Sequence, residues 1–119
     1  MNISSVTVGL PVADLAAAVL WYRRVLELIE PGLEPDDDVV EFKVGPVWLQ
    51  LGSEPTARSG AEVVLRLGVT NAALEHERLM SLGVAVGPLQ HVESAVNYFD
   101  FVDPDGNRLS IYSLVPAGA

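Results

Sequence analysis

The sequence predicts an α+β fold built from two copies of one strand–helix–three-strand unit. Three observations predict it. Stretches of alternating apolar and polar residues flank two helix-capping residues, Asp14 and Asn71. Sliding the chain by 57 residues places Asp14 on Asn71, Leu10 on Leu67 and Thr7 on Val64, and sliding it by 60 places Leu49 on Leu109 and Gln50 on Ser110. Finally, "FVDPDGNRLSIYS" at 101–113 reads as two strands around a tight turn, since Pro104 presets φ and Gly106 accepts a positive φ.

The elements follow in order. A strand over 3–10 sets Val6, Val8 and Leu10 against Ser5, Thr7 and Gly9 on its other face. Asp14 then caps a helix through about residue 28, with Leu15, Val19, Tyr22, Leu26 and Ile29 as its apolar stripe. The acidic, proline-bearing "EPGLEPDDD" is loop or irregular edge, and the strands "VVEFKV" and "VWLQLG" are joined by Gly45-Pro46. Small polar residues at 53–60, "SEPTARSG", form a linker between module one (3–52) and module two (61–114) of a single domain.

In module two, "EVVLRLGV" is a strand with Val63, Leu65 and Leu67 on one face and Val64, Arg66 and Gly68 on the other. Asn71 caps a second helix to Leu82, and Gly83 ends it in the left-handed position. A strand near 84–90 precedes the hairpin. In the last strand Leu109 and Ile111 pack on a helix, while Arg108, Ser110 and Tyr112 line a concavity; from 97–102 either Tyr98 and Asp100 or Asn97, Phe99 and Phe101 enter it. "PAGA" is a loose tail.

Composition restricts the function. Half of the 119 residues are hydrophobic and mean hydropathy is +0.32, so apolar surface is reserved for a partner chain or a ligand cleft. A homodimer is the expected assembly. The net charge of −9 repels phosphate backbones, which excludes nucleic acid as a partner and favours cationic small molecules. The same charge also serves solubility alone. With no cysteine there is no disulfide, thiolate nucleophile or cysteine metal site. No signal peptide or apolar run near the ~20 residues of a membrane span is present, so no membrane association and a cytoplasmic location are expected.

"LPVADLAAAVLWY", with the aromatic pair Trp21-Tyr22 on its helix, and "DPDGNRLSIY" near the end resemble the vicinal oxygen chelate superfamily over roughly 3–114. That group includes glyoxalase I, extradiol dioxygenases, fosfomycin-modifying enzymes and bleomycin-binding resistance proteins. The resemblance implies that the two βαβββ modules form a cup-shaped, partly closed mixed β-barrel with the helices outside. The cup is built within one chain or by modules exchanged across a dimer. In metal-dependent members His or Glu side chains project from equivalent strands into the cup and hold a divalent ion. The matching positions here are Thr7, Gln50, Val64 and Ser110. Valine has no lone pair to offer, and hydroxyls and an amide are weak neutral donors. No metal and no other cofactor is therefore expected.

The concave-face candidates for ligand binding are Thr7, Trp48, Gln50, Val64, Arg66, Arg108, Ser110 and Tyr112, with Ser5 beside them. Trp48 offers a flat stacking surface or caps the barrel end or a dimer seam. Arg66 anchors a ligand or pairs internally with Glu41 or Asp100. Acid–base candidates are His91, Glu93, Tyr98 and Asp100; His91 reads more simply as a solvated loop histidine, and His76, between Glu75 and Glu77, reads as a surface residue. Rings, hydroxyls, an amide and few charges suit holding an organic ligand more than breaking bonds. The expectation is a metal-free binding protein similar to the bleomycin-type proteins, which sequester a drug and so confer antibiotic resistance. The rivals are a metal-independent lyase or isomerase, and a structural or regulatory dimer with a closed cup.

Overall fold

The chain divides into two units, residues 1–58 and 59–119, and the computed structural model describes residues 2–3, 6–29, 32–54 and 64–115. In the first unit the elements are β1 (Thr7–Val12), α1 (Leu15–Val25), β2 (Leu33–Asp36), β3 (Val39–Val44) and β4 (Val47–Ser53). Its sheet runs in the order β1-β4-β3-β2, with β1 parallel to β4 and the other pairs antiparallel. Period-two alternation gives the sheet one apolar face: Leu10, Val12, Val40, Phe42, Leu49 and Leu51 are buried, together with Ala18, Tyr22 and Val25 of α1. Burying each large side chain of this kind is worth about 1.5–3 kcal/mol. The Arg23 guanidinium adds a cation–π contact, 5.2 Å from the centre of the Phe42 ring.

Asp14 caps α1 as its spacing predicts, its carboxylate accepting from the Ala17 N–H at 3.1 Å. The helix is shorter than expected, ending at Val25, with Glu27 at φ 55° just beyond. The buried stripe also differs from the expected one. Leu15, Val19 and Leu26 are half-buried and Ile29 is 91% exposed. The buried face is Ala18, Tyr22 and Val25 at an i, i+4, i+7 spacing, and the helix stops before Ile29 can join it. The acidic stretch supplies β2, an edge strand whose register shifts between Leu33 and Asp36; Pro35, lacking an N–H, is tolerated there. Gly45, at φ 59°, makes the turn into β4.

The second unit repeats this plan with β5 (Val64–Gly68), α2 (Ala72–Ser81), β6 (Gln90–Val92), β7 (Val96–Val102) and β8 (Arg108–Leu114), in sheet order β5-β8-β7-β6. The repeat holds to the register. Thr7 pairs with Trp48 and Gly9 with Gln50 in the parallel ladder of the first sheet; Val64 pairs with Arg108 and Arg66 with Ser110 in that of the second. These are the same 57- and 60-residue displacements that the sequence shows. Phe99, Phe101, Leu109 and Ile111 form the buried face with Ala72 and Leu79 of α2.

Capping is stronger in this half. The Asn71 side chain accepts from the Leu74 N–H at 3.2 Å, and the Ser113 hydroxyl of β8 accepts from the buried Ala72 N–H at 2.9 Å. At the other end Gly83, at φ 81°, gives its N–H to the Met80 carbonyl, and the Val84 N–H reaches the Leu79 carbonyl. The hairpin turn is organised by Asp103, which is 3% exposed. Its carboxylate accepts from the Asp105 and Asn107 N–H groups, each at 2.8 Å, and from the Asn107 side-chain amide at 2.7 Å, while Gly106 takes φ 83°.

Two expectations change here. Residues 84–90 are not a strand: only the single bridge Val86–Phe101 forms before β6 begins at Gln90. Gly87 lies so close to the Asp100 backbone that a β-carbon there would stand 3.1 Å from the Asp100 oxygen, and Pro88 has no N–H for a ladder. His76 is not a free surface residue: its Nε2 bonds the Gly87 carbonyl at 2.8 Å and its ring meets Phe99 edge-on at 4.9 Å. The modules are α+β duplicates, as expected, with the eight strands forming two four-stranded sheets rather than one continuous barrel ladder. Most of the linker, the "PAGA" tail, Ser5, Glu62 and Val63 lie outside the described residues.

Candidate functional site

Each sheet carries its helix on one face, so the other face is where the sequence places its candidates. In the first unit, Thr7 and its neighbour Trp48 share that open face with Gln50; Thr7 is exposed, and Trp48 and Gln50 are half-buried. A β-carbon on Gly9 would stand 3.4 Å from the Gln50 Oε1, so the amide lies across this glycine.

In the second unit the antiparallel ladder fixes the parity of 97–102. Tyr98 stands opposite Tyr112, Asp100 opposite Ser110 and Val102 opposite Arg108, and directly opposed residues share a face. Phe99 and Phe101 take the helix side, where both are buried. The open face therefore brings together Val64, Arg66, Arg108, Ser110, Tyr112, Tyr98 and Asp100.

Two hollows are lined by residues of that face. The first, about 370 Å³, is lined by Arg66, Val96, Tyr98, Ser110, Tyr112 and Leu114. Ser110 forms its floor at 1% exposure, donating to the Phe99 carbonyl at 3.3 Å. The Tyr112 ring covers Gly68, where any β-carbon would fall 2.9 Å from the phenol oxygen. The second, about 350 Å³, takes Val64, Asp100, Val102 and Arg108 from that face together with Phe101 and Leu109 from the helix side and the 85–87 segment. Among the described residues of the second unit Arg66 forms no ion pair, so the expected pairing with Asp100 is not made.

His91 and Glu93 are not part of either hollow. His91 stands opposite Asn97 in the ladder, on the face away from Tyr98, and its Nδ1 meets the Asn97 side-chain oxygen. Glu93 is exposed in the turn between β6 and β7. Two residues of the first hollow were absent from the sequence-based candidates, Val96 and Leu114. The signal was available: they continue the period-two alternation of Tyr98 and of Tyr112 by one step.

The four positions matched to metal ligands do not fit a divalent ion. Thr7 and Gln50 on one sheet and Val64 and Ser110 on the other supply two hydroxyls, one amide and one hydrocarbon, and the Ser110 hydrogen is engaged by a carbonyl. Among the described residues no group of three or more His, Asp or Glu side chains is placed to hold a metal. None of the described helices is long and apolar enough to cross a membrane.

The fold has many solved counterparts. A lactoylglutathione lyase from Agrobacterium tumefaciens is 19% identical, with a TM-score of 0.73 over 91% of each chain. A fosfomycin resistance protein from Listeria monocytogenes is 16% identical, with a TM-score of 0.77 over 95% of this chain and 93% of its own. A glyoxalase/bleomycin resistance protein/dioxygenase from Nocardioides is 16% identical, with a TM-score of 0.77 over 99% of this chain and 87% of its own. At these identities the likeness is one of fold. No curated protein matches the sequence significantly. The model of the Glyoxalase/Bleomycin resistance protein/Dioxygenase superfamily matches residues 4–111, nearly the span over which the register repeats, and the chain belongs to that superfamily.

Proposed function

We propose that the protein binds a small, partly aromatic organic molecule without a divalent metal, and that it acts by holding the compound. The observation that carries this is the first hollow of the second unit. Its volume, about 370 Å³, lies within the roughly 300–1,000 Å³ range of small-molecule sites, and its lining combines two phenol rings, aliphatic walls, a buried hydroxyl and one cationic side chain. Such a lining orients a ligand by stacking and a few polar contacts. The weak donor set at Thr7, Gln50, Val64 and Ser110 supports metal independence. Sequestration of a toxic compound, as in the bleomycin-resistance members, is the corresponding role.

The lyase or isomerase alternative has less support. It needs a pair of acid–base groups on one ligand, yet of the four candidates Tyr98 alone lines the hollow, while His91 and Glu93 lie away from it and Asp100 belongs to the neighbouring one. The closed structural dimer is disfavoured by the hollow itself.

A thermal-shift screen of aromatic small molecules in excess EDTA tests the proposal, with Tyr112→Leu run beside the parent protein. Stabilisation by a compound in EDTA, reduced in the variant, is the expected result. Stabilisation only after a divalent ion is restored, or turnover of the bound compound, would overturn it.

A further inference from the structure

The net charge of −9 favours a cationic ligand, but the first hollow carries the opposite local charge. Among the described residues Arg66 is the only charged one lining it, and Asp100, the nearest acid in the ladder, stands beyond Ser110 and faces the second hollow. Exposed charges farther off than about 8 Å are largely screened at physiological salt, so the diffuse acidity acts on the approach of a ligand and Arg66 on its seating. Arg66 forms no ion pair among the described residues and stacks on no aromatic ring there. Its planar fork of N–H donors is free to receive a planar anion.

The neighbouring groups complete the description. Tyr98 and Tyr112 are a direct cross-strand pair, so both side chains project from one face, with the Tyr112 ring leaning over Gly68 of β5. Ser110 lies on the floor beside Arg66, its ladder partner, and Val96 and Leu114 close the far end with hydrocarbon. From this we infer that the hollow takes an aromatic carboxylate or similar aromatic anion, its ring against Tyr98 and Tyr112 and its anionic group on Arg66. The inference rests on the binding function proposed above and specifies its ligand class.

Three probes sharing one ring system separate the possibilities: naphthalene-2-carboxylate, 2-naphthylmethylammonium and 2-naphthalenemethanol, each titrated calorimetrically into the full chain in EDTA. The carboxylate should bind tightest. Arg66→Gln should weaken it about tenfold or more while leaving the alcohol within about twofold, and Arg66→Glu should reverse the preference toward the ammonium. Circular dichroism of both variants checks that the fold is retained, as expected for an exposed strand residue. Tightest binding of the ammonium, equal affinity for all three, or carboxylate binding unchanged in Arg66→Gln would overturn the anionic class and leave the binding site standing. Failure of all three probes to bind, or binding indifferent to Tyr112→Leu, would overturn the site along with it.

Discussion

The phenol of Tyr112 lies directly over Gly68, its partner in the parallel ladder; a β-carbon on that glycine would stand 2.9 Å from the hydroxyl oxygen and 3.0 Å from Cζ. The absence of a side chain at 68 therefore sets the position of a ring that walls the hollow. Gly68→Ala should push the ring aside. Because the contacted atoms are the far end of a half-buried side chain, the stability cost should be under about 1 kcal/mol, below the usual cost of overpacking a core. Ligand affinity should fall severalfold. In a Tyr112→Leu background the same change should have little further effect on binding, a non-additivity that calorimetric titration of the four proteins would measure.

The hairpin turn offers a stability test. Asp103 satisfies two backbone N–H groups and the Asn107 amide from a nearly buried position. Asp103→Ala should cost about 3 kcal/mol in urea unfolding, since several donors lose their acceptor at once, and Asp103→Asn should cost less because one carbonyl oxygen remains.

Helix α2 is tied to β8 through one hydroxyl. Ser113→Ala leaves the buried Ala72 N–H without its partner and should destabilise the protein by about 1–2 kcal/mol, whereas Ser110→Ala, which removes a 3.3 Å bond to the Phe99 carbonyl, should cost no more than about 1 kcal/mol. Equal losses for the two would contradict this difference in bonding.

A homodimer is the expected assembly, from the apolar content and from side chains such as Leu20 at 70% exposure and Leu114 at 74%. Light scattering should give twice the 12.7 kDa chain mass; a value of 12.7 kDa across a wide concentration range would contradict it.

Much of this architecture is legible in the residues because the signals are local. Asp14 and Asn71 announce helix starts, Gly83 a stop, and Asp103 to Asn107 a turn, and each does so through its own backbone or side-chain chemistry. The ladder registers follow from the 57- and 60-residue displacements because pairing in both halves obeys the same alternation. What escaped the sequence depended on partners remote along the chain. The parity of β7 was ambiguous since both of its faces carry aromatic rings, and only the pairing of Tyr98 with Tyr112 decides it. His76 looked solvated among its glutamates because its acceptor, the Gly87 carbonyl, belongs to an irregular segment that reads as a strand. The buried stripe of α1 runs through Ala18, an inconspicuous apolar residue that a pattern of large side chains does not reveal.

The central claim, metal-independent binding on the open face of the second sheet, is tested most directly by one titration. Uniformly ¹⁵N-labelled protein in EDTA is titrated with the best-binding aromatic compound and followed by amide shifts. The account predicts shifts concentrated at Arg66, Val96, Tyr98, Ser110, Tyr112 and Leu114, with no change when the chelator is replaced by zinc or manganese. Shifts confined to other surfaces, or a response that begins only when the metal is added, would contradict it.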